Sequence, residues 1–138
     1  MGPEQALNFH SIIHGYMELA DKYGLWNAAT LIHEDGCYID GFEDFRAWLI
    51  FQGKETYLSA LKDPDSLADV PACMEEDCRF ADLPYAGSMA YVRLTDRMAF
   101  DDIAPAGHQR MVAELRKDIV YGAEIEYPHE WSEVTAYL

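Results

Sequence analysis

The chain has 138 residues, of which 50% are hydrophobic and 13% aromatic, and its formal net charge is -15. That length suits one domain, and the apolar content is enough for one core, which argues against a disordered chain. The 25 acidic residues outnumber the 10 basic ones, which argues against binding to nucleic acid or to anionic lipid, because both need clusters of Lys and Arg.

Apolar residues recur every three or four positions along most of the chain, which is the period of an α-helix with one buried face. With Pro near helix starts and Gly near helix ends, the pattern predicts helices over residues 3–23, 25–33, 42–51, 54–62, 84–97, 108–121 and 128–137. Residues 37–41 are predicted as a connector and residues 63–66 as a turn before one further helical turn. Gly122 is predicted to cap the helix before it.

Alternating β-branched runs are scarce, so we expect at most a marginal strand near residues 124–127. The predicted fold class is therefore all-α. We expect a compact single domain over residues 1–138, built as a bundle of six or seven short helices.

The predicted helices have apolar faces, and we expect these faces to form the core around Trp48. In the first helix this face contains Phe9, Ile12, Ile13, Tyr16, Leu19, Ala20 and Tyr23. In the third it contains Phe42, Phe45, Trp48 and Leu49. In residues 84–97 it contains Tyr85, Met89, Val92 and Leu94.

Several sequence features indicate a cytosolic protein. The N-terminal stretch lacks the basic and apolar regions of a secretory signal, and no apolar run approaches the roughly 18 residues of a membrane span. The three cysteines, an odd number, are interpreted as reduced thiols. Cys73 and Cys78 have a spacing that suits a metal or a redox pair, but no second pair accompanies them.

The middle of the chain carries a distinctive pattern, strongest over residues 24–70. Its elements are Leu25-Trp26, Ala28-Ala29, Gly36-Cys37, Asp40-Gly41-Phe42, the run from Phe45 to Ile50, Gly53 and the run from Asp63 to Leu67. This pattern resembles the bacterial family described as domain of unknown function 4240. The resemblance implies a helical bacterial domain. It does not point to any particular activity, because the family has none assigned. It also implies that a closing segment beginning at Glu130-Trp131 continues beyond Leu138.

Arg46 lies between Phe45 and Trp48 in the predicted third helix, so its guanidinium should be partly removed from water and must be paired. We expect Asp40 and Asp65 as its partners. One interpretation is a structural ion pair that ties the connector and the 63–66 turn to the third helix. The alternative is a ligand site, made of Asp40, Arg46, Asp65 and Trp48, in which Arg46 grips an anionic substrate.

Other chemical motifs are weak. His10 and His14 share a helical face, but the Glu of a zinc-protease helix is missing between them. The carboxylate-rich loop over residues 33–44 fails the calcium-loop pattern in two registers. It is interpreted as capping of the third helix by Asp40 or a neighbour, with Glu43 and Asp44 complementing the helix dipole. Cys37 with His33 is a poor nucleophile pair because the surrounding carboxylates oppose a thiolate. We therefore expect no cofactor and no metal, with one alternative left open: His10 and His14 could bind zinc if the fold brought His33 or Glu34 beside them.

These observations leave two hypotheses from different classes. The first is a non-enzymatic module whose acidic surface binds a basic protein partner, as an inhibitor or immunity-like protein would. The second is a small enzyme or a domain for an anionic ligand, with a cleft near Asp40, Arg46 and Asp65.

Overall fold

A computed structural model describes residues 2–33, 37–70 and 79–123. Over these residues the chain is helical and contains no strand, which confirms the all-α class. The elements are α1 (Pro3–Leu19), α2 (Tyr23–Ile32), α3 (Ile39–Phe51), α4 (Lys54–Lys62), a 3-10 helix (Pro64–Asp69), α5 (Leu83–Thr95), α6 (Ala99–Asp102) and α7 (Pro105–Arg116). The predicted strand at 124–127, the predicted helix at 128–137, and both Cys73 and Cys78 fall outside the described residues.

Most predicted helices are present, with shifted ends. α4 has the predicted bounds, whereas α3 begins at Ile39 and so includes part of the predicted connector. α7 ends at Arg116, earlier than predicted, and the chain then turns through a hydrogen bond from the Ile119 amide to the Arg116 carbonyl. None of the described helices is both long enough and apolar enough to cross a bilayer.

The main core lies around α3, as its apolar face predicts. Phe42, Phe45, Trp48 and Leu49 are each at most 2% exposed. Burial of one such side chain stabilises the fold by about 1.5–3 kcal/mol. The rings of Phe45 and Trp48 stack at 5.7 Å, and α2 contributes the ring of Trp26, which lies 5.1 Å from that of Phe42.

α1 is packed on several sides, because α3, α5 and α7 all contact it. Its buried residues are Ala6, Ile13, Gly15, Met17 and Leu19. The prediction of one apolar face was therefore wrong in part, since Phe9 and Ile12 are 37% and 39% exposed. Small residues such as Ala6 and Gly15 take the buried positions because they let neighbouring helices approach closely.

The predicted buried face of α5 was also wrong. Tyr85, Met89 and Leu94 are 57%, 54% and 48% exposed, whereas Gly87 and Tyr91 are buried. Gly87 lies directly against α1, so close that a Cβ atom at this position would be 2.7 Å from the Cβ of His10. Contact between the two helix backbones therefore decides which face of α5 is buried.

An ion pair closes the turn between α5 and α6. Asp96 adopts the left-handed conformation there, with φ of 58°, and Arg97 binds both carboxylate oxygens of Asp102. The hydroxyl of Tyr91 donates to the same carboxylate. The hydrogen bonds from Arg97 and then from Tyr91 lower the pKa of Asp102 to about 2, so this carboxylate stays charged at ordinary pH.

Candidate functional site

Arg46, the central residue of the predicted ligand site, is half-buried on α3 and binds main-chain oxygens. Its Nη1 donates to the Met17 carbonyl at 2.7 Å, and its Nε donates to the Phe42 carbonyl at 3.4 Å. The guanidinium carbon lies 4.6 Å from the centre of the Phe42 ring. Carbonyl oxygens and an aromatic face thus satisfy a cation that has left bulk water.

The Met17 carbonyl belongs to the last turn of α1, where helical carbonyls lack partners within the helix. Two tyrosines bind neighbouring carbonyls of that turn. Tyr57 of α4 donates to the Tyr16 carbonyl at 2.6 Å, and Tyr121, which follows α7, donates to the Leu19 carbonyl at 2.7 Å. We call Arg46, Tyr57 and Tyr121 the α1 clamp. The cation also complements the negative end of the helix dipole.

The α1 clamp joins three separate parts of the chain to one helix end. Burial raises the pKa of both Tyr57 and Tyr121, so each hydroxyl keeps its proton and remains a donor. Pairing of Arg46 was expected from the sequence, whereas the roles of Tyr57 and Tyr121 were not. The available signal was that a buried Tyr needs a partner for its hydroxyl, but the sequence does not say which carbonyl will be within reach.

The structure does not bring the other predicted site residues to Arg46. Asp40 and Asp65 are exposed, and within the described residues neither forms an ion pair with Arg46. The N-cap of α3 is Tyr38, not Asp40, which lies in the first helical turn. In the 63–66 turn the Asp63 carboxylate accepts a hydrogen bond from the Asp65 amide at 3.1 Å. Within the described residues, Arg46 therefore does not link the 37–41 connector and the 63–66 turn to α3 as expected. It contributes to the α1 clamp instead.

Trp48, the fourth predicted ligand residue, belongs to the core. It is 2% exposed, and among the described residues its indole nitrogen has no hydrogen-bond partner. A side chain enclosed in this way is not offered to a ligand from solvent.

Cys37 is buried, and burial raises the pKa of its thiol, which disfavours the thiolate. Its carbonyl accepts a hydrogen bond from the indole of Trp26 at 2.6 Å. His33 is 6% exposed and contacts the Phe45 ring edge-on, with centroids 6.0 Å apart. These contacts are typical of packing at the end of α2.

His10 and His14 lie side by side, with ring centroids 4.2 Å apart. The Nε2 of His14 is 2.9 Å from the Pro84 carbonyl, which can only accept, so this nitrogen carries the proton. Within the described residues, no group of three His, Cys, Asp or Glu side chains is placed to hold a metal ion. The pair instead joins α1 to the start of α5.

The His10 side chain predicts a stability change in acid. Burial, then the neighbouring charges of His14 and His108, lower the pKa of His10 from 6.5 to about 4. As the pH falls, His10 is therefore protonated near pH 6.5 in the unfolded chain but only near pH 4 in the folded chain. The contribution of neutral His10 to the free energy of unfolding is fully present above pH 6.5. It is lost as the pH falls towards 4, by at most about 1.4 kcal/mol per pH unit.

Urea unfolding of the wild type and of His10→Gln at pH 7, 5 and 4 measures this effect. All other titrating groups are common to both proteins, so the wild type should lose more stability between pH 7 and pH 4 than the variant. Equal losses in the two proteins would show that His10 has the same pKa in the folded and the unfolded chain, which would contradict the expected effect.

Exposed carboxylates border α4 and the 3-10 helix, which pack against each other. We call Glu55, Asp63, Asp65 and Asp69 the acidic edge; all four are exposed. The ion pairs of the described chain use other carboxylates, those of Glu18, Asp102, Glu114 and Asp118. Within the described residues, the charges of the acidic edge are thus uncompensated by a direct cationic contact.

Comparison with protein families identifies the family of this chain. The model of the family described as "Protein of unknown function (DUF4240)" matches residues 1–93, about two thirds of the 138 residues. The chain belongs to the DUF4240 family. The DUF4240 match includes α1 to α4, the 3-10 helix and most of α5, and with them Arg46, Tyr57 and the acidic edge. α7 and Tyr121 follow it in the chain. No curated protein and no solved structure matches the chain.

Proposed function

We propose that this member of the DUF4240 family is a non-enzymatic binding module whose acidic edge meets a basic protein partner. The supporting observation is the exposure of Glu55, Asp63, Asp65 and Asp69, which form no ion pair in the described part of the chain, together with the net charge of -15. Such a surface attracts a cationic protein over several ångströms and speeds its association. An inhibitor or immunity-like protein is one form of this role, in the cytosol of a bacterium.

The competing function, an enzyme or anion site around Arg46, has less support. Within the described residues, the Nη1 and Nε of Arg46 donate to main-chain carbonyls, and neither Asp40 nor Asp65 forms an ion pair with it. An anion reaching Arg46 would therefore meet a guanidinium that is already engaged by the end of α1.

The proposal is tested by affinity capture followed by binding measurements with the purified captured protein. We expect a partner of high isoelectric point, whose affinity falls steeply between low and moderate salt because exposed charges are screened. The triple variant Glu55→Gln, Asp65→Asn, Asp69→Asn should lose most of the binding. Asp63 is left intact because its carboxylate caps the 3-10 helix.

A matched control removes three exposed charges elsewhere: Glu4→Gln, Asp82→Asn and Asp101→Asn. This control should keep most of the affinity. Equal losses in both triple variants would contradict the acidic edge as the binding surface, and a partner that is not basic would contradict the proposed class.

A further inference from the structure

A groove opens between the C-terminal half of α1 and α7, away from the acidic edge. Its cavity volume is about 620 Å³, which lies within the range of roughly 300–1,000 Å³ found for small-molecule sites. Its apolar lining comes from Leu19 of α1 and from Val112 and Ala113 of α7. The groove is therefore large enough for a small organic molecule and partly apolar.

The charged lining of this groove is unusual for so acidic a chain. Three cations line it, Lys22, Arg116 and Lys117, although the whole chain has only 10 Lys and Arg. Lys117 binds Glu114 at 2.7 Å. Within the described residues, Lys22 and Arg116 form no ion pair with a carboxylate.

Lys22 and Arg116 approach the same aromatic ring. The Nζ of Lys22 lies 4.5 Å from the centroid of the Tyr121 ring, and the guanidinium carbon of Arg116 lies 5.9 Å from it. One ring attracts each cation only weakly, by about 0.5–1 kcal/mol at an exposed site. Two like charges that share a ring also repel each other, and an anion placed between them would relieve that repulsion.

The position of the Tyr121 ring is fixed by its own hydroxyl and by the backbone of the residue that follows it. Its hydroxyl donates to the Leu19 carbonyl at 2.7 Å. The next residue, Gly122, donates its amide to the Leu61 carbonyl at 3.1 Å, and a Cβ atom at this position would collide with the Lys62 carbonyl. The glycine is thus required by close packing, which fixes the ring before any ligand arrives.

The remaining charge in the groove is that of Glu18, which has a partner on α7. Its carboxylate lies 3.2 Å from the Nε2 of His108, which belongs to α7. The cationic and acidic groups thus have different partners: Glu18 has a histidine, whereas Lys22 and Arg116 have the ring of Tyr121.

We infer that the groove between α1 and α7 binds a small organic anion. The anionic group, a carboxylate or a phosphate, is held by Lys22 and Arg116, and the apolar body lies over Leu19 and Val112. Arg offers a planar pair of donors to such a group, and Lys adds a mobile charge. This inference is independent of the proposed partner at the acidic edge, because the two surfaces share no residue.

The probe for this inference is 2-naphthoate, compared with its neutral isostere 2-naphthamide, in an NMR titration of the full chain. We expect saturable shifts for naphthoate at the amides of Gln109 and Ala113, and binding of naphthamide at least about tenfold weaker. Inorganic phosphate in a parallel titration should shift the same amides with lower affinity. Comparison of the naphthoate and phosphate titrations then ranks the carboxylate and the phosphate group by their affinity for the groove.

Matched variants separate the groove from general charge effects. Lys22→Gln and Arg116→Gln should each weaken naphthoate binding about tenfold, as expected for a lost charged hydrogen bond. Arg110→Gln, an exposed residue of α7 outside the groove lining, should leave it unchanged. Urea midpoints of the three variants confirm that each remains folded.

Three outcomes would overturn the inference. Equal binding of naphthamide would show apolar adhesion without a role for the cations. An equal loss in Arg110→Gln would show unspecific attraction to α7. Tighter binding of a short oligoglutamate peptide than of naphthoate would assign the groove to an acidic polypeptide segment instead of a small molecule.

Discussion

Replacing Gly87 by alanine should lower the free energy of unfolding by about 1–3 kcal/mol or more, the range for overpacked interiors. The new Cβ would lie 2.7 Å from the Cβ of His10 and 2.8 Å from both its Cα and its amide nitrogen. These are backbone and backbone-proximal atoms, so no side-chain rotation relieves the clash. α1 and α5 would have to separate along their extensive shared interface. Urea unfolding followed by circular dichroism measures the loss.

Gly107 provides the matched control, because it is also a glycine within a helix. A Cβ there would meet only the end of the Arg110 side chain at 3.8 Å and the Cβ of Ala104 at 3.9 Å. Gly107→Ala should therefore stabilise the protein by about 0.4–1 kcal/mol, since alanine loses less backbone entropy on folding. If both substitutions stabilise the protein, the close approach of α1 and α5 is refuted.

The contact at Gly87 also explains why the sequence predicted the wrong face of α5. Periodicity counts large apolar residues, and Tyr85, Met89 and Leu94 mark one side of this helix. The interface is instead formed where the backbones come closest, and a hydrophobic pattern does not register glycine. The same pattern succeeded for α3, where large side chains do fill the space between helices.

In α1, hydrophobic periodicity fails to predict the buried residues for a second reason. A helix contacted by three others has no single buried face, so the one apolar stripe drawn through Phe9 and Ile12 describes it poorly. Its partners α5 and α7 lie far from it in the chain. Local periodicity carries no information about how many helices will surround a given one.

For Arg46, the sequence predicted that its guanidinium would be paired, but the acceptors in the described residues are carbonyls and not the predicted carboxylates. Arg46 between aromatic residues had to be paired once it left water, and that argument holds. Sequence reasoning could propose only charged side chains, Asp40 and Asp65, as its partners. The carbonyls at the end of α1 are also acceptors, but their place beside α3 depends on the packing of two helices.

Removing the guanidinium should therefore affect stability directly. Arg46→Met keeps a long side chain over the Phe42 ring but leaves the Met17 carbonyl without its charged donor. We expect the free energy of unfolding to fall by about 1.5–3 kcal/mol, the range for a hydrogen bond to a charged group. Arg46→Lys should lose less, since its ammonium keeps the charge at the helix end.

Arg93→Met on the exposed face of α5 is the control for loss of one positive charge, and it should leave stability within about 0.5 kcal/mol. Tyr57→Phe should cost about 1 kcal/mol, and its combination with Arg46→Met should be non-additive, because both side chains hold the same helix end. An Arg46→Met variant as stable as the wild type would mean that the guanidinium does not hold α1. It would then be free for an anionic ligand, and the site around Asp40, Arg46 and Asp65 would regain support.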